Sequence, residues 1–174
     1  SLFVLMVFCG MASATGGQGK SLPPPVTDDD FYYDGNPDPN LVELGRNLFF
    51  DKILSGNLNI SCSTCHHVLA DTGDWLPLPV GEGGRGLGVA RDTGSGDDAI
   101  HERVPRNAQP IFNLGRKAFN FSFHDGRVEI CPGEPSGFCS PARSPTGNDL
   151  LPKELDNILA AQAMFPVTSL TEMA

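Results

Sequence analysis

Residues 62–66 read Cys62-Ser63-Thr64-Cys65-His66, a complete C-x-x-C-H motif. Two thiols at this spacing, followed at once by a histidine, are the attachment pattern of c-type haem. On one helical turn the two sulfurs reach both vinyl groups of the macrocycle, and the adjacent imidazole points at the iron. The motif therefore predicts covalently bound haem c, with Cys62 and Cys65 as thioether positions and His66 as the proximal iron ligand.

Two other kinds of site use a C-x-x-C pair. A thioredoxin-type redox pair belongs in a βαβ unit, and a zinc finger requires a second Cys/His pair at finger spacing. The sequence around Cys62 and Cys65 offers neither pattern. Covalent haem is the interpretation that the surrounding sequence favours.

The first fourteen residues, SLFVLMVFCGMASA, carry no charge and contain an apolar run at 2–8. They close with the small-x-small triplet Ala12-Ser13-Ala14, which is typical of a signal-peptide cleavage site. The apolar run is too short to span a bilayer. Because there is no initial Met and no basic n-region, we expect 1–14 to be a signal peptide whose beginning is missing. An export signal and covalent haem together predict a periplasmic protein.

Composition limits the classes of partner. After the predicted signal peptide about 160 residues remain, the usual length of one domain. A hydrophobic content of 40% is sufficient for a core. The net charge of −9 argues against nucleic acid or an anionic membrane as the partner. No membrane span is expected in the mature chain.

The rest of the chain alternates helical and irregular segments. Residues 15–37 are expected to form a linker, and Asp38 then caps a helix with Pro39 at its first position. Further helices are predicted at 62–67, 107–119 and 153–165, separated by long loops at 71–100 and 128–150. No segment shows a convincing strand period. The predicted fold is all-α: a cytochrome c-like haem domain with long irregular loops.

Two interpretations from the residues concern the second half of the chain. Cys131 and Cys139 are expected to pair in a loop-closing disulfide rather than to serve as ligands. Gln162 falls on the apolar stripe of the last predicted helix. It either makes a hydrogen bond to the backbone as a core polar residue, which spacing alone favours, or faces the open side of the haem.

Several segments occur together in a recognisable order. They are LGRNLFFD at 44–51, LSGN at 54–57, the C-x-x-C-H motif, RNA at 106–108, FHDGR at 123–127 and LAAQA at 159–163, followed by Pro166, Glu172 and Met173. This order resembles the N-terminal haem domain of bacterial di-haem cytochrome c peroxidases and their MauG-type relatives. The resemblance implies that 38–174 is a peroxidatic haem domain and that a second haem domain is missing from this chain.

The resemblance also assigns roles. Glu172 matches the acid–base glutamate that moves a proton between the two peroxide oxygens, and Gln162 and Pro166 match residues of the distal pocket. Asn107 matches an asparagine that helps to bind calcium between the domains. Glu82 stands where many relatives have a histidine that caps the resting iron, so we expect an open or water-bound distal face. His101, in the same loop, remains an alternative ligand.

Two further departures from the family concern the region around FHDGR. His124 stands where many relatives place a tryptophan between the haems. The loop after Arg127 is also longer than in many relatives.

The resemblance implies a periplasmic enzyme that reduces hydrogen peroxide. Its electrons would come from a small cytochrome c or cupredoxin through the second haem. One alternative is a MauG-type oxidase of an organic or protein substrate. Another is a non-catalytic electron carrier, which would need a strong sixth ligand such as Met164 or Met173.

Overall fold

The structure is a computed structural model that describes residues 22–174. The predicted signal peptide at 1–14 and the first part of the predicted linker lie outside the described residues. Among the helices of residues 22–174, none combines the length and the hydropathy needed to cross a membrane.

The described residues contain three α-helices: α1 at Pro39–Phe50, α2 at Cys62–Cys65 and α3 at Ile158–Ala163. The predicted start of α1 is confirmed, because Asp38 accepts the N–H of Asn40 at 2.7 Å and Pro39 occupies the first position. Short 3₁₀ turns lie at Asp28–Asp30, Tyr32–Gly35, Val68–Ala70, Gly88–Ala90, Gly96–Asp98 and Pro166–Thr168.

A small antiparallel sheet lies between the haem motif and α3 in the sequence. Its strands are β1 at Phe121–Ser122, β2 at Val128–Ile130 and β3 at Phe138–Cys139, in the spatial order β1-β2-β3. A disulfide joins Cys131 to Cys139, as predicted, so these sulfurs do not serve as metal ligands.

The all-α prediction is wrong because of this sheet. Strands of two or three residues are too short to show the alternation by which a strand is recognised in a sequence. The available signal was the pair Asp125-Gly126 between the apolar positions Phe123 and Val128, since Asp-Gly between apolar positions is typical of a hairpin turn. Gly126 has φ 68°, a left-handed conformation that glycine adopts without strain.

Two helix predictions also need correction. Residues 107–119 form turns rather than a helix. Pro110 has no N–H to donate, and it pushes the preceding Gln109 out of the α conformation. The helix predicted at 153–165 is shortened to Ile158–Ala163, because Asn157 caps it by accepting the N–H of Ala160 at 2.9 Å.

Part of the segment expected to be linker packs on the domain. The N–H of Tyr32 donates to the carbonyl of Gly115 at 3.0 Å. The Lys117 ammonium lies 2.5 Å from a carboxylate oxygen of Asp34, and the Tyr33 hydroxyl donates to Asp156. These contacts tie residues 28–36 to the loop that precedes β1 and to the start of α3.

The main apolar core lies between the sheet and α3. It consists of the buried side chains of Val128, Phe138, Leu151, Ile158 and Ala161, with Phe123, Ala142, Leu155 and Phe165 packed against it. The core holds α3 against β1 and β2. This packing determines where Gln162, near the end of α3, is placed.

The last six described residues form a compact turn. The Ser169 carbonyl accepts the N–H groups of Glu172, Met173 and Ala174 at 3.0, 3.1 and 3.0 Å. Gly81 lies directly against this turn, because a Cβ built there would meet the carbonyl oxygen of Thr171 at 2.0 Å. Only a residue without a side chain permits this approach.

We expect Gly81→Ala to lower the thermal midpoint of the protein and its soluble yield. The added methyl would force the turn that carries Glu172 away from the loop at 81–84. Gly45→Ala is the matched control, since a Cβ at Gly45 meets nothing within 4 Å and the residue lies inside α1. The control should gain about 0.5–1 kcal/mol from helix propensity. Equal midpoints for the two variants would contradict the close packing.

Candidate functional site

The C-x-x-C-H motif forms the single turn of α2, with His66 at its C-cap. The side chain of Thr64 accepts the N–H of Ser61 at 3.0 Å, and the N–H of His66 donates to the carbonyl of Cys62 at 2.9 Å. Ser61 and Thr64 are buried, whereas Cys62 and Cys65 are partly exposed. The turn is therefore anchored on its polar side and presents both thiols.

The imidazole of His66 is held by two backbone carbonyls. Its Nδ1 lies 3.0 Å from the carbonyl oxygen of Thr72 and 3.0 Å from that of Gln109. Because both neighbours are acceptors, Nδ1 carries the proton and donates it. The lone pair is then on Nε2, which is the tautomer that an iron ligand requires.

The two thiols of α2 are free. Burial raises the pKa of Cys65 to about 12, and the nearby Asp74 carboxylate adds to the rise while Arg91 opposes it. Burial also raises the pKa of Cys62. A thioredoxin-type pair needs a lowered thiol pKa. The environment of these thiols therefore argues against a redox-exchange role.

An uncovered apolar face on α1 supports the fit of a haem group. The side chains of Leu41, Leu44 and Leu48 are 63%, 54% and 36% exposed, and no residue of α1 is buried. A helix of a globular domain normally packs such a stripe against a core. Since α1 contacts α2, a large apolar group attached at Cys62 and Cys65 would have this face beside it. The two thiols, the oriented imidazole and this face together fit haem c.

Glu172 is a half-buried carboxyl on the C-terminal turn. Burial raises its pKa, while a hydrogen bond from the Ser169 side chain and the positive charge of Arg127 oppose the rise. A half-buried carboxyl with a raised pKa can serve as a general acid–base group.

Gln162 lies near the end of α3, and Pro166 begins the 3₁₀ turn that follows. The Ser122 hydroxyl on β1 donates to the side-chain carbonyl of Gln162. A cavity of about 170 Å³ adjoins this pair and is lined by Gln109, Leu114, Phe119, Phe121, Ser122, Phe123, Ile158, Leu159 and Gln162. Gln109, whose carbonyl accepts from His66, therefore lines this cavity together with Gln162.

The sequence model of the family described as di-haem cytochrome c peroxidase matches residues 39–174. This chain belongs to that family. The match covers α1, the C-x-x-C-H turn, the sheet, α3 and the turn that carries Glu172. Membership makes the chain a c-type haem protein of a peroxidase family of oxidoreductases.

Individual members of the di-haem peroxidase family match over shorter stretches. A cytochrome-c peroxidase IdrP2 from Denitromonas iodatirespirans is 47% identical over 47 residues, 27% of this chain and 12% of the relative. The cytochrome c551 peroxidase of Pseudomonas aeruginosa is 35% identical over 88 residues, 50% of this chain and 20% of the relative. The matched regions thus span a fifth or less of these relatives. No solved structure shows a significant match.

In this di-haem peroxidase family member, Glu82 links three segments. Its carboxylate accepts the N–H of Gly56 at 3.0 Å and also the N–H of Asn57. Its own N–H donates to the carbonyl of Glu172 at 2.8 Å, and Gly56 also donates to the carbonyl of Met173 at 2.9 Å. The carboxylate is therefore occupied by backbone donors of the LSGN segment.

We expect Glu82→Ala to destabilise the protein by about 2–4 kcal/mol, because two hydrogen bonds to a charged acceptor are lost together. The measurement is the free energy of unfolding in denaturant for the haem-loaded protein. Glu102→Ala is the control, since Glu102 is an exposed carboxyl in the same long loop. If both variants unfold at the same denaturant concentration, the role of the Glu82 carboxylate is refuted.

The other predicted residues lie at the surface. Asn107, His101 and His124 are all exposed, and within residues 22–174 none of them makes a side-chain hydrogen bond. The sequence interpretation missed Thr72 and Gln109, which act through their backbone carbonyls. Every residue has a backbone carbonyl, so residue type does not indicate which carbonyl will accept a hydrogen bond. Pro110 after Gln109 was the available clue, because it keeps that carbonyl out of a helix.

Proposed function

We propose that residues 38–174 form the domain at which a periplasmic di-haem enzyme reduces hydrogen peroxide to water. The observation that carries the proposal is the half-buried Glu172 carboxyl, whose pKa is raised by burial. His66 in turn has Nδ1 committed to carbonyl acceptors. Peroxide reduction needs a histidine whose Nε2 lone pair can bind iron and a carboxyl that can accept and release a proton.

Cys62, Cys65 and His66 would hold the haem, the first two through thioether bonds and the third through Nε2. When bound, the haem supplies an iron centre for cleavage of the O–O bond with two electrons. The overall reaction takes up one hydrogen peroxide, two electrons and two protons and releases two waters. The chain's own part is to orient the peroxide and to move protons.

Glu172 is the proton carrier in this proposal. Its ionised carboxylate accepts the proton of one peroxide oxygen and returns it to the other oxygen, which leaves as water. The Gln162 amide would help to orient the peroxide, and Pro166 would form part of the pocket wall. Because the Gln162 carbonyl accepts from Ser122, the amide N–H₂ remains available as a donor towards the pocket.

The remaining partners follow from the family resemblance and the composition. Electrons would come from a small cytochrome c or cupredoxin through a haem domain outside 38–174. The net charge of −9 suits a basic redox partner. Residues 1–14 would direct export to the periplasm, and Asn107 would contribute to a calcium site shared with the other domain.

The test uses the full-length, haem-loaded protein supplied with hydrogen peroxide and either reduced cytochrome c or an organic reductant. We expect oxidation of two cytochrome molecules for each peroxide consumed. Faster turnover with the organic reductant would instead support the MauG-type oxidase. One observation favours that alternative. Glu82 stands where many relatives have a histidine that caps the iron, and its carboxylate accepts the N–H groups of Gly56 and Asn57 instead. Absence of turnover together with low-spin His/Met optical spectra would support the electron carrier.

A further inference from the structure

The hydroxyl of Ser122 is a buried polar group with a specific partner. Ser122 closes β1 opposite Val128 of β2, and only 8% of the residue is exposed. Its hydroxyl donates to the side-chain carbonyl of Gln162 on α3. In the part of the chain that the structure describes, this is the one hydrogen bond that the hydroxyl makes. The contact therefore satisfies a donor that water scarcely reaches.

Gln162 reaches this hydroxyl because of its place on α3. Ile158 lies one turn earlier on the same helix face and is buried in the core against the sheet. Since α3 contacts both β1 and β2, that face is directed at the strand that carries Ser122. The packing of α3 on the sheet therefore brings the amide of Gln162 to the hydroxyl.

The hydrogen bond selects one of two orientations of the Gln162 amide. In the observed orientation the carbonyl accepts from Ser122. In the flipped orientation the N–H₂ group would meet the hydroxyl oxygen, and the hydroxyl proton would have no acceptor among residues 22–174. A buried donor without a partner is costly, whereas the oxygen of a donating hydroxyl loses little. Ser122 therefore fixes which end of the amide points away from β1.

The free end of the amide borders the cavity of about 170 Å³. Both Ser122 and Gln162 line this cavity, and apart from Gln109 the rest of its lining is apolar. The N–H₂ group of Gln162 makes no hydrogen bond to another described residue, so it can donate into this space. A single amide donor in an apolar wall favours a small ligand that accepts a hydrogen bond.

We propose that Ser122 is a positioning residue that sets the polarity of the pocket, because it turns the N–H₂ group of Gln162 towards the ligand. The inference rests on the proposed function, in which Gln162 orients the peroxide. A peroxide oxygen that gives up its proton gains negative charge and accepts this hydrogen bond, whereas a carbonyl in the same place would repel it. Ser122 acts through Gln162 and contacts neither peroxide nor haem.

The test compares two ligands of the full-length, haem-loaded protein at one pH. Fluoride binds ferric haem and accepts hydrogen bonds strongly, whereas carbon monoxide binds ferrous haem and accepts them weakly. Ser122→Ala leaves the amide free to turn, so we expect the affinity for fluoride to fall roughly three- to tenfold, the usual weight of one hydrogen bond. The affinity for carbon monoxide should stay the same. Both are measured by optical titration.

Two further variants separate the orientation of the amide from general damage. Ser122→Thr keeps a hydroxyl on the strand and should restore fluoride binding. Ser136→Ala is the matched control, because Ser136 is also buried and its hydroxyl donates to the carbonyl of Phe138 on β3 at 3.3 Å, outside the cavity lining. Both alanine variants should lower the thermal midpoint, and only Ser122→Ala should weaken fluoride binding.

The outcomes separate this inference from the proposed function. If Gln162→Leu weakens fluoride binding and Ser122→Ala does not, the role of Ser122 is overturned while that of Gln162 stands. Equal losses of fluoride affinity in Ser122→Ala and Ser136→Ala, or an equal loss of affinity for carbon monoxide, would also overturn it. If Gln162→Leu leaves fluoride binding unchanged, Gln162 does not serve the pocket and the Ser122 inference fails with it. Turnover with hydrogen peroxide and cytochrome c decides the peroxidase proposal independently.

Discussion

Replacing Glu172 with glutamine is expected to lower kcat/KM for hydrogen peroxide by about 10²–10⁴-fold, the usual contribution of a positioned acid–base group. Glutamine has nearly the same shape but cannot carry a proton from one oxygen to the other. The haem content should be unchanged, because Glu172 is not part of the attachment motif. The measurement is the rate of peroxide consumption by full-length, haem-loaded protein under single-turnover conditions.

The pH dependence provides a second readout of Glu172. Burial raises the pKa of this carboxyl, so the acid limb of the wild-type profile should lie at higher pH than an exposed glutamate would give. Activity is present above that pKa, where the carboxylate is ionised, and falls as the pH is lowered through it. The limb should vanish in the glutamine variant. Glu154→Gln, at an exposed position before α3, is the control and should match the wild type; a loss of activity equal to that in Glu172→Gln would point to a general charge effect.

Replacing both Cys62 and Cys65 with serine is expected to abolish covalent haem attachment. A thioether forms by addition of a thiol to a vinyl group, and a serine hydroxyl does not take part in this reaction under cellular conditions. Because α1 leaves Leu41 and Leu44 uncovered, we also expect loss of the haem to reduce the amount of folded protein. The measurement is the haem that stays with the polypeptide after denaturation and extraction with acidified acetone.

The chain offers a matched control for this experiment in its other pair of cysteines. Cys131→Ser with Cys139→Ser removes the same number of sulfurs and opens the disulfide between β2 and β3. This variant should keep its covalent haem and lose stability only, by about 2–3 kcal/mol for so short a loop. Covalent haem in the Cys62/Cys65 double variant would refute the attachment site.

Local sequence was sufficient wherever the relevant partners are close in the chain. The C-x-x-C-H spacing predicted a helical turn that presents two thiols, and α2 has that form. Asp38 and Pro39 predicted the start of α1, since a capping side chain bonds within its own first turn. The ordered set of motifs also predicted the family, which the match over residues 39–174 confirms.

The sequence was insufficient where an element is very short or is stabilised by distant residues. The sheet was missed because its strands are two or three residues long and gain their stability from the core formed with α3. The helix prediction at 107–119 is wrong because Pro110 has no N–H to donate and interrupts a helix there. Hydrophobic spacing describes only one segment at a time.

The sequence by itself determined the groups of the proposed haem site: two thiols, an imidazole and a turn that presents them. The tertiary structure decided which nitrogen of the imidazole carries the proton and how the side chains of the site are oriented. The carbonyls of Thr72 and Gln109 select the tautomer of His66, and Glu82 accepts from the backbone of residues 56–57. These contacts join residues up to 43 positions apart. They depend on backbone groups that every residue possesses, so they arise only when the whole chain has folded.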